Sequence, residues 1–174
     1  VLLVGIVIHC TNCQCTDEIH DFCGPDSELF KKFGKKQRVS YGDGENKIIP
    51  EFFSNKVCKI GCSKGAKEWL TKRALNQDTL RKGFEIATIN DHLKILNLIF
   101  PKLSGQNKNM FLVECFEKAC LKGKQIDLLN FLWSKITIVP NFCNNIITKI
   151  RNNQGKIEMI EYLEEKDSKI IKID

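Results

Sequence analysis

The sequence predicts an all-α protein of stacked helix-turn-helix pairs, preceded by a cysteine-rich, turn-rich N-terminal segment. Three observations carry that expectation. From residue 50 onward apolar residues recur with helical spacing in short runs separated by polar breaks. The breaks at Asp91, Gly123 and Gly155 lie 32 residues apart. The segments around them also repeat one another, and constant spacing marks a unit that buries its apolar stripe only by stacking on its neighbours.

The repeat is plainest in FEIATINDHLKILNLIF (residues 84–100) and FEKACLKGKQIDLLNFLW (residues 116–133). Phe-Glu-x-Ala opens both, a polar break follows, and Ile95-Leu96-Asn97-Leu98-Ile99-Phe100 matches Leu128-Leu129-Asn130-Phe131-Leu132-Trp133 after a one-residue insertion. A third copy is QGKIEMIEYLEE (residues 154–165), and a fainter one over residues 56–70 ends on Trp69-Leu70. Ala87 and Ala119 fall inside the first helix of each pair, where close approach needs small residues, and the bulky triplets fall in the second. Gly123 ends a first helix, so that Lys124 and Gln125 carry the turn. The charged end, residues 166–174, reads as a frayed tail.

These residues resemble the ankyrin repeat. A period near 33 with L-x-x-A-A-x-x-G-H-L-E-I-V-x-L-L-L is that family's pattern. Asp91-His92-Leu93-Lys94-Ile95-Leu96 and Gly155-Lys156-Ile157-Glu158-Met159-Ile160 stand at its G-H-L-E-I-V positions. The likeness covers residues 78–165. It departs from the family at the Thr-Pro-Leu-His opening, replaced by Lys82-Gly83-Phe84-Glu85 and by Glu114-Cys115-Phe116-Glu117, and in residues 142–152, which lack the small-residue pair. The resemblance implies an ankyrin-like helical solenoid and a non-enzymatic module that binds another protein. Its turn residues would be Asp91, His92, Gly123 and Gly155, with the His92 imidazole bridging backbone groups. By resemblance and by polarity, the expected contact residues are Lys102, Gln106, Asn107, Lys108, Asn109 and Lys135, on loops 101–110 and 134–145.

The chain opens on VLLVGIVI, too short for a membrane helix of about 20 residues but matching the apolar region of a secretory leader. Residues 1–13 are therefore read as a truncated signal peptide, 14–50 as a cysteine-rich basic connector and 51–169 as the helical repeat domain. A buried strand is the other reading of Val1 to Ile8. Secretion suits the nine cysteines, since disulfides persist in oxidising compartments; a cytoplasmic location is the alternative. Cys13, Cys15, Cys23, Cys58 and Cys62 are the candidates for disulfides. A zinc site is not expected, because no second Cys-x-x-Cys stands at finger spacing.

Charge and motifs narrow the function classes. The net charge is +6, concentrated in residues 31–82, where fourteen Lys and Arg face five Asp and Glu. A basic zone of this kind keeps nucleic-acid binding as one alternative. A second is a secreted, disulfide-pinned helical carrier of small apolar ligands, similar to insect odorant-binding proteins in its Cys58-x3-Cys62 spacing. CTDEIHDFC (residues 15–23) resembles the His-Asp-x-Cys element of secreted phospholipases A2, yet no glycine-rich calcium loop precedes it. No phosphate-binding loop occurs. The expected protein is thus not an enzyme, needs no cofactor or metal, and takes another protein as its partner.

Overall fold

The computed structural model describes residues 23–28, 30–31, 45–137, 141–153 and 156–170. Among them are eight α-helices and no strand: α1 (Glu45–Phe52), α2 (Ser63–Lys72), α3 (Gln77–Ile89), α4 (Leu93–Ile99), α5 (Lys108–Leu121), α6 (Ile126–Trp133), α7 (Phe142–Asn152) and α8 (Ile157–Ile170). Helix begins earlier than expected, at Glu45, and runs through Pro50 into a π-helical segment, Phe53–Cys58. Pro50 has no N–H to donate, and the Ser54 hydroxyl donates to its carbonyl at 2.6 Å. At the other end α8 continues to Ile170 instead of fraying at Lys166. Gly155, Cys13, Cys15 and the leader-like run lie outside the described residues.

The helices come in pairs because the chain reverses at three left-handed residues: Gly61 (φ 84°), Asp91 (φ 60°) and Gly123 (φ 58°). Each reversal is closed by the same hydrogen bond. Cys62 N–H donates to the Val57 carbonyl at 3.2 Å, His92 N–H to Ala87 at 2.9 Å, and Lys124 N–H to Ala119 at 3.1 Å. This is the Schellman arrangement, which satisfies helix-end carbonyls that would otherwise have no partner. The faint early unit therefore has its break at Gly61, where the sequence shows no aligned polar stretch. Side-chain caps start α2 and α3. The Cys62 sulfur accepts Gly65 N–H at 3.3 Å, and the Asn76 carboxamide accepts Thr79 N–H at 2.8 Å.

Second helices bury one register. Gly65, Ala66 and Trp69 in α2, Ile95, Leu96 and Ile99 in α4, and Leu128, Leu129 and Leu132 in α6 all sit at i, i+1 and i+4. In α8 Met159 and Leu163 continue it, joined by Tyr162. First helices pack on first helices, α3 on the π segment, α5 on α3 and α7 on α5, while α4 packs on both α2 and α6. Small residues set the separations. Ala87 and Ala119 are buried as their spacing predicts. Gly83 matters as much: a Cβ there would lie 2.8 Å from the Phe53 ring and 3.1 Å from the Cys58 sulfur.

Part of the N-terminal segment belongs to this core. The buried Cys23 offers its carbonyl to the Trp69 indole N–H at 2.9 Å. Phe30 meets Trp69 and Phe52 edge-on, with centroids 5.0 and 5.1 Å apart. Gly65 lets the chain cross α2, since a Cβ there would stand 2.8 Å from that of Cys23. Cys23 and Phe30 thereby pack on Trp69 and Phe52 of the first pair.

Two substitutions test these constraints. Gly83→Val should lower the unfolding free energy by about 2–3 kcal/mol in urea titration, because methyls must displace a buried ring. Asp91→Ala should be about 1 kcal/mol less stable than Asp91→Gly in the same titration, since only glycine adopts the left-handed conformation without strain.

Candidate partner-binding edge

The residues expected to meet a partner lie where successive helix pairs are joined. Two carboxamides organise this edge. The Gln77 side chain donates to the Lys102 carbonyl at 3.0 Å and accepts Ser104 N–H at 2.8 Å. Thirty-two residues on, Asn109 donates to the Thr137 carbonyl at 3.1 Å and accepts Thr137 N–H at 2.7 Å. Each amide stands in the first turn of a first helix and clasps the strand of chain that leaves the same pair. Paired bonds of this kind hold loop backbone that would otherwise be solvated.

The clasp revises the expected contact set. Asn109 is exposed, but its carboxamide holds Thr137 in place. Lys108 and Asn109 belong to the first turn of α5, and Phe100–Lys102 forms a 3-10 turn, so the expected loop 101–110 shrinks to residues 103–107. Asn107 ends that loop, and its carbonyl accepts Phe111 N–H at 3.0 Å. Lys102, Gln106, Asn107 and Lys135 are exposed, and Lys108 is half-buried.

Beside them is an aromatic and cationic cluster. Phe100 and Phe131 meet edge-on with centroids 6.1 Å apart. The Lys108 ammonium lies 4.2 Å from the Phe100 centroid, and that of Lys135 lies 5.3 Å from Phe100 and 5.7 Å from Phe131. Cations at these distances are attracted by the ring quadrupole, by about 0.5–1 kcal/mol at exposed sites. Met110, 57% exposed, adds an apolar side chain that the sequence reading did not single out. The signal for this edge was the recurrence of a carboxamide side chain, Gln77 and then Asn109, 32 residues apart at the start of a helix.

The turn residues form the opposite edge, and each lies against a neighbouring pair. His92 Nε2 lies 3.0 Å from the Lys59 carbonyl, which places its proton on Nε2. Asp91 accepts from Lys124 Nζ at 3.1 Å and from Gln125 N–H at 3.3 Å. A Cβ on Gly123 would stand 2.8 Å from the Lys156 side chain. Between the two edges, ion pairs tie first helices together: Glu85 with Lys118 at 2.6 Å, and Glu117 with Lys149 at 2.6 Å. The Glu85 hydrogen bond raises the pKa of Lys118.

The cysteines of the helical zone are packing groups. Cys58, Cys115, Cys120 and Cys143 are buried free thiols, so the bridge expected at Cys58 is not formed, and Cys62 serves as the α2 cap. Burial raises the pKa of Cys58 and Cys120, takes Cys115 to about 12, and with the neighbouring Asp167 carboxylate takes Cys143 to about 11. Protonated thiols are poor nucleophiles. Among the described residues no group of three or more His, Cys, Asp or Glu is placed to hold a metal ion, and no helix is long and apolar enough to cross a membrane.

An open pocket of about 200 Å³ is lined by Leu70, Arg73, Leu75, Gln77, Leu80 and Lys102, below the 300–1,000 Å³ usual for small-molecule sites. Of the basic residues in the first two pairs, Lys72 pairs with Asp26 at 3.1 Å, and Arg81 lies 5.7 Å from the Phe111 ring centroid. No family model, curated protein or solved structure matches this chain.

The thiols carry a pH prediction. In the unfolded chain they ionise near pH 8.5, whereas the fold holds them protonated. Above that pH the folded state binds more protons than the unfolded state, so stability falls as pH rises. The melting temperature should stay level to about pH 8 and drop progressively through pH 11, with the four thiols reacting with a thiol reagent only on unfolding.

Proposed function

We propose that this chain is an ankyrin-like helical-repeat scaffold that binds another protein through the edge formed by residues 102–110 and 134–137. The observation that carries the reading is the recurrence of equivalent polar contacts about one repeat apart. Carboxamide clasps recur at Gln77 and Asn109, first-helix ion pairs at Glu85 and Glu117, and turn contacts at Lys59 and Asp91. A scaffold of this kind holds its loops side by side at fixed separation, and function on it is set by surface side chains. The exposed Lys102, Gln106, Lys135 and Met110, with the Phe100 and Phe131 rings that Lys135 approaches, give that edge cations and apolar surface together. Such a mixture suits a partner with acidic and apolar groups. The leader-like residues 1–8 extend the proposal to a secreted, effector-like interaction protein.

Removing residues 106–109 would also remove the Asn109 clasp, so substitution tests the edge more cleanly. Lys102→Glu combined with Lys135→Glu should lower affinity for a partner captured by the wild-type chain by at least about tenfold in calorimetry, with an unchanged melting temperature. A captured partner whose affinity is unaltered by both reversals would place the binding face elsewhere.

A further inference from the structure

The outer surface of the second helices carries a charge pattern that the scaffold reading does not use. Because α2, α4, α6 and α8 bury the same register, their exposed residues also align. One row is Lys64, Lys94, Asp127 and Glu158; the next, about one turn along each helix, is Lys67, Asn97, Asn130 and Glu161. All eight are exposed. The helices lie side by side: α4 touches α2 and α6, and the Tyr162 hydroxyl of α8 donates to Asn130 of α6 at 3.2 Å. Read across the face, these rows hold two cations on α2, one on α4, one carboxylate on α6 and two on α8.

That order is antisymmetric about the middle of the stack. A two-fold axis parallel to the helices, passing between α4 and α6, would set α2 against α8 of a second copy and α4 against its α6. Lys64 and Lys67 would then face Glu158 and Glu161, Lys94 would face Asp127, and Asn97 would face Asn130. A two-fold axis across the helices would instead set cations against cations. The pattern thus selects one pairing, the self-complementary surface that an isologous dimer requires.

We propose that this face is the interface of a two-fold dimer of the chain. Five of its charges, Lys67, Lys94, Asp127, Glu158 and Glu161, form no ion pair with a described residue. Apolar surface lies at the same face, where Ile126 and Ile157 begin α6 and α8 with 43% and 72% exposure. Four helices about 10 Å apart, in contact over roughly two turns, offer on the order of 500 Å² per copy. That is the low end for a specific interface. The dimer is accordingly weak, concentration-dependent and loosened by salt. It uses neither loop edge of the scaffold, so the binding of another protein stands or falls separately.

Sedimentation velocity on the full chain tests it by charge exchange. Wild type should move toward twice the monomer mass as concentration rises in low salt, and return toward monomer in high salt. Asp127→Lys with Glu161→Lys should be monomeric, as should Lys67→Glu with Lys94→Glu, each with an unchanged circular dichroism spectrum. Mixed one to one, the two variants should dimerise, because every reversed charge then meets its opposite. A monomeric wild type at high concentration in low salt, a reversed variant that still dimerises alone, or a mixture that stays monomeric would overturn the proposal. If a double reversal does not fold, Glu161→Gln should weaken wild-type dimerisation by about two- to tenfold, since each exposed pair counts twice, and an unchanged dimer would overturn it.

Discussion

A helix can fold back on the helix before it only if the chain reverses within a few residues and still satisfies the carbonyls at the end of the first helix. In the first three pairs that constraint is met by one left-handed residue each, at Gly61, Asp91 and Gly123. Everything downstream depends on it. The reversal sets the second helix in register, the register decides which side chains are buried, and the buried set fixes how the next pair docks. Glycine meets the requirement without strain. Asp91 meets it through a short polar side chain that tolerates this conformation, and its carboxylate then reaches Lys124 and the Gln125 N–H of the next turn.

That second contact shows how the pairs come to act as one body. The apolar core supplies most of the stability but little direction, because its contacts are non-directional. Direction comes from polar groups that bridge one pair to the next. Along the turn edge these are His92 on Lys59 and Asp91 on Lys124; between first helices they are Glu85 on Lys118 and Glu117 on Lys149. Exposed ion pairs are individually worth about 0–1 kcal/mol, so their contribution lies in fixing the offset between neighbours. Close packing does the rest, with Gly83, Ala87 and Ala119 setting how near the first helices come.

Much of this was legible in the sequence. The apolar triplets, the breaks at Asp91 and Gly123 and the small residues at Ala87 and Ala119 all recur at constant spacing, and helical periodicity is a local property of the chain. The break at Gly61 escaped notice because the π-helical segment ahead of it shifts the pattern, and because a lone glycine between Ile60 and Cys62 carries no polar signal. The candidate edge was only half legible. Lys102, Gln106 and Lys135 follow from loop polarity, but polarity cannot separate a side chain that faces solvent from one that clasps backbone. Asn109 is the case in point, since its two bonds to Thr137 join residues 28 apart.

By itself, then, the sequence determined the helical class, the spacing of the breaks and the side of each helix that must be buried, because these follow from the spacing of apolar residues and from the conformational preferences of single residues. Only the tertiary structure decided the rest. It brought Cys23 and Phe30 onto Trp69, turned Cys58, Cys115, Cys120 and Cys143 into buried thiols, gathered Lys108 and Lys135 around Phe100, and aligned the charges of four separate helices on one face. Each of these depends on the distance between residues far apart in the chain, and that distance exists only once the pairs have packed.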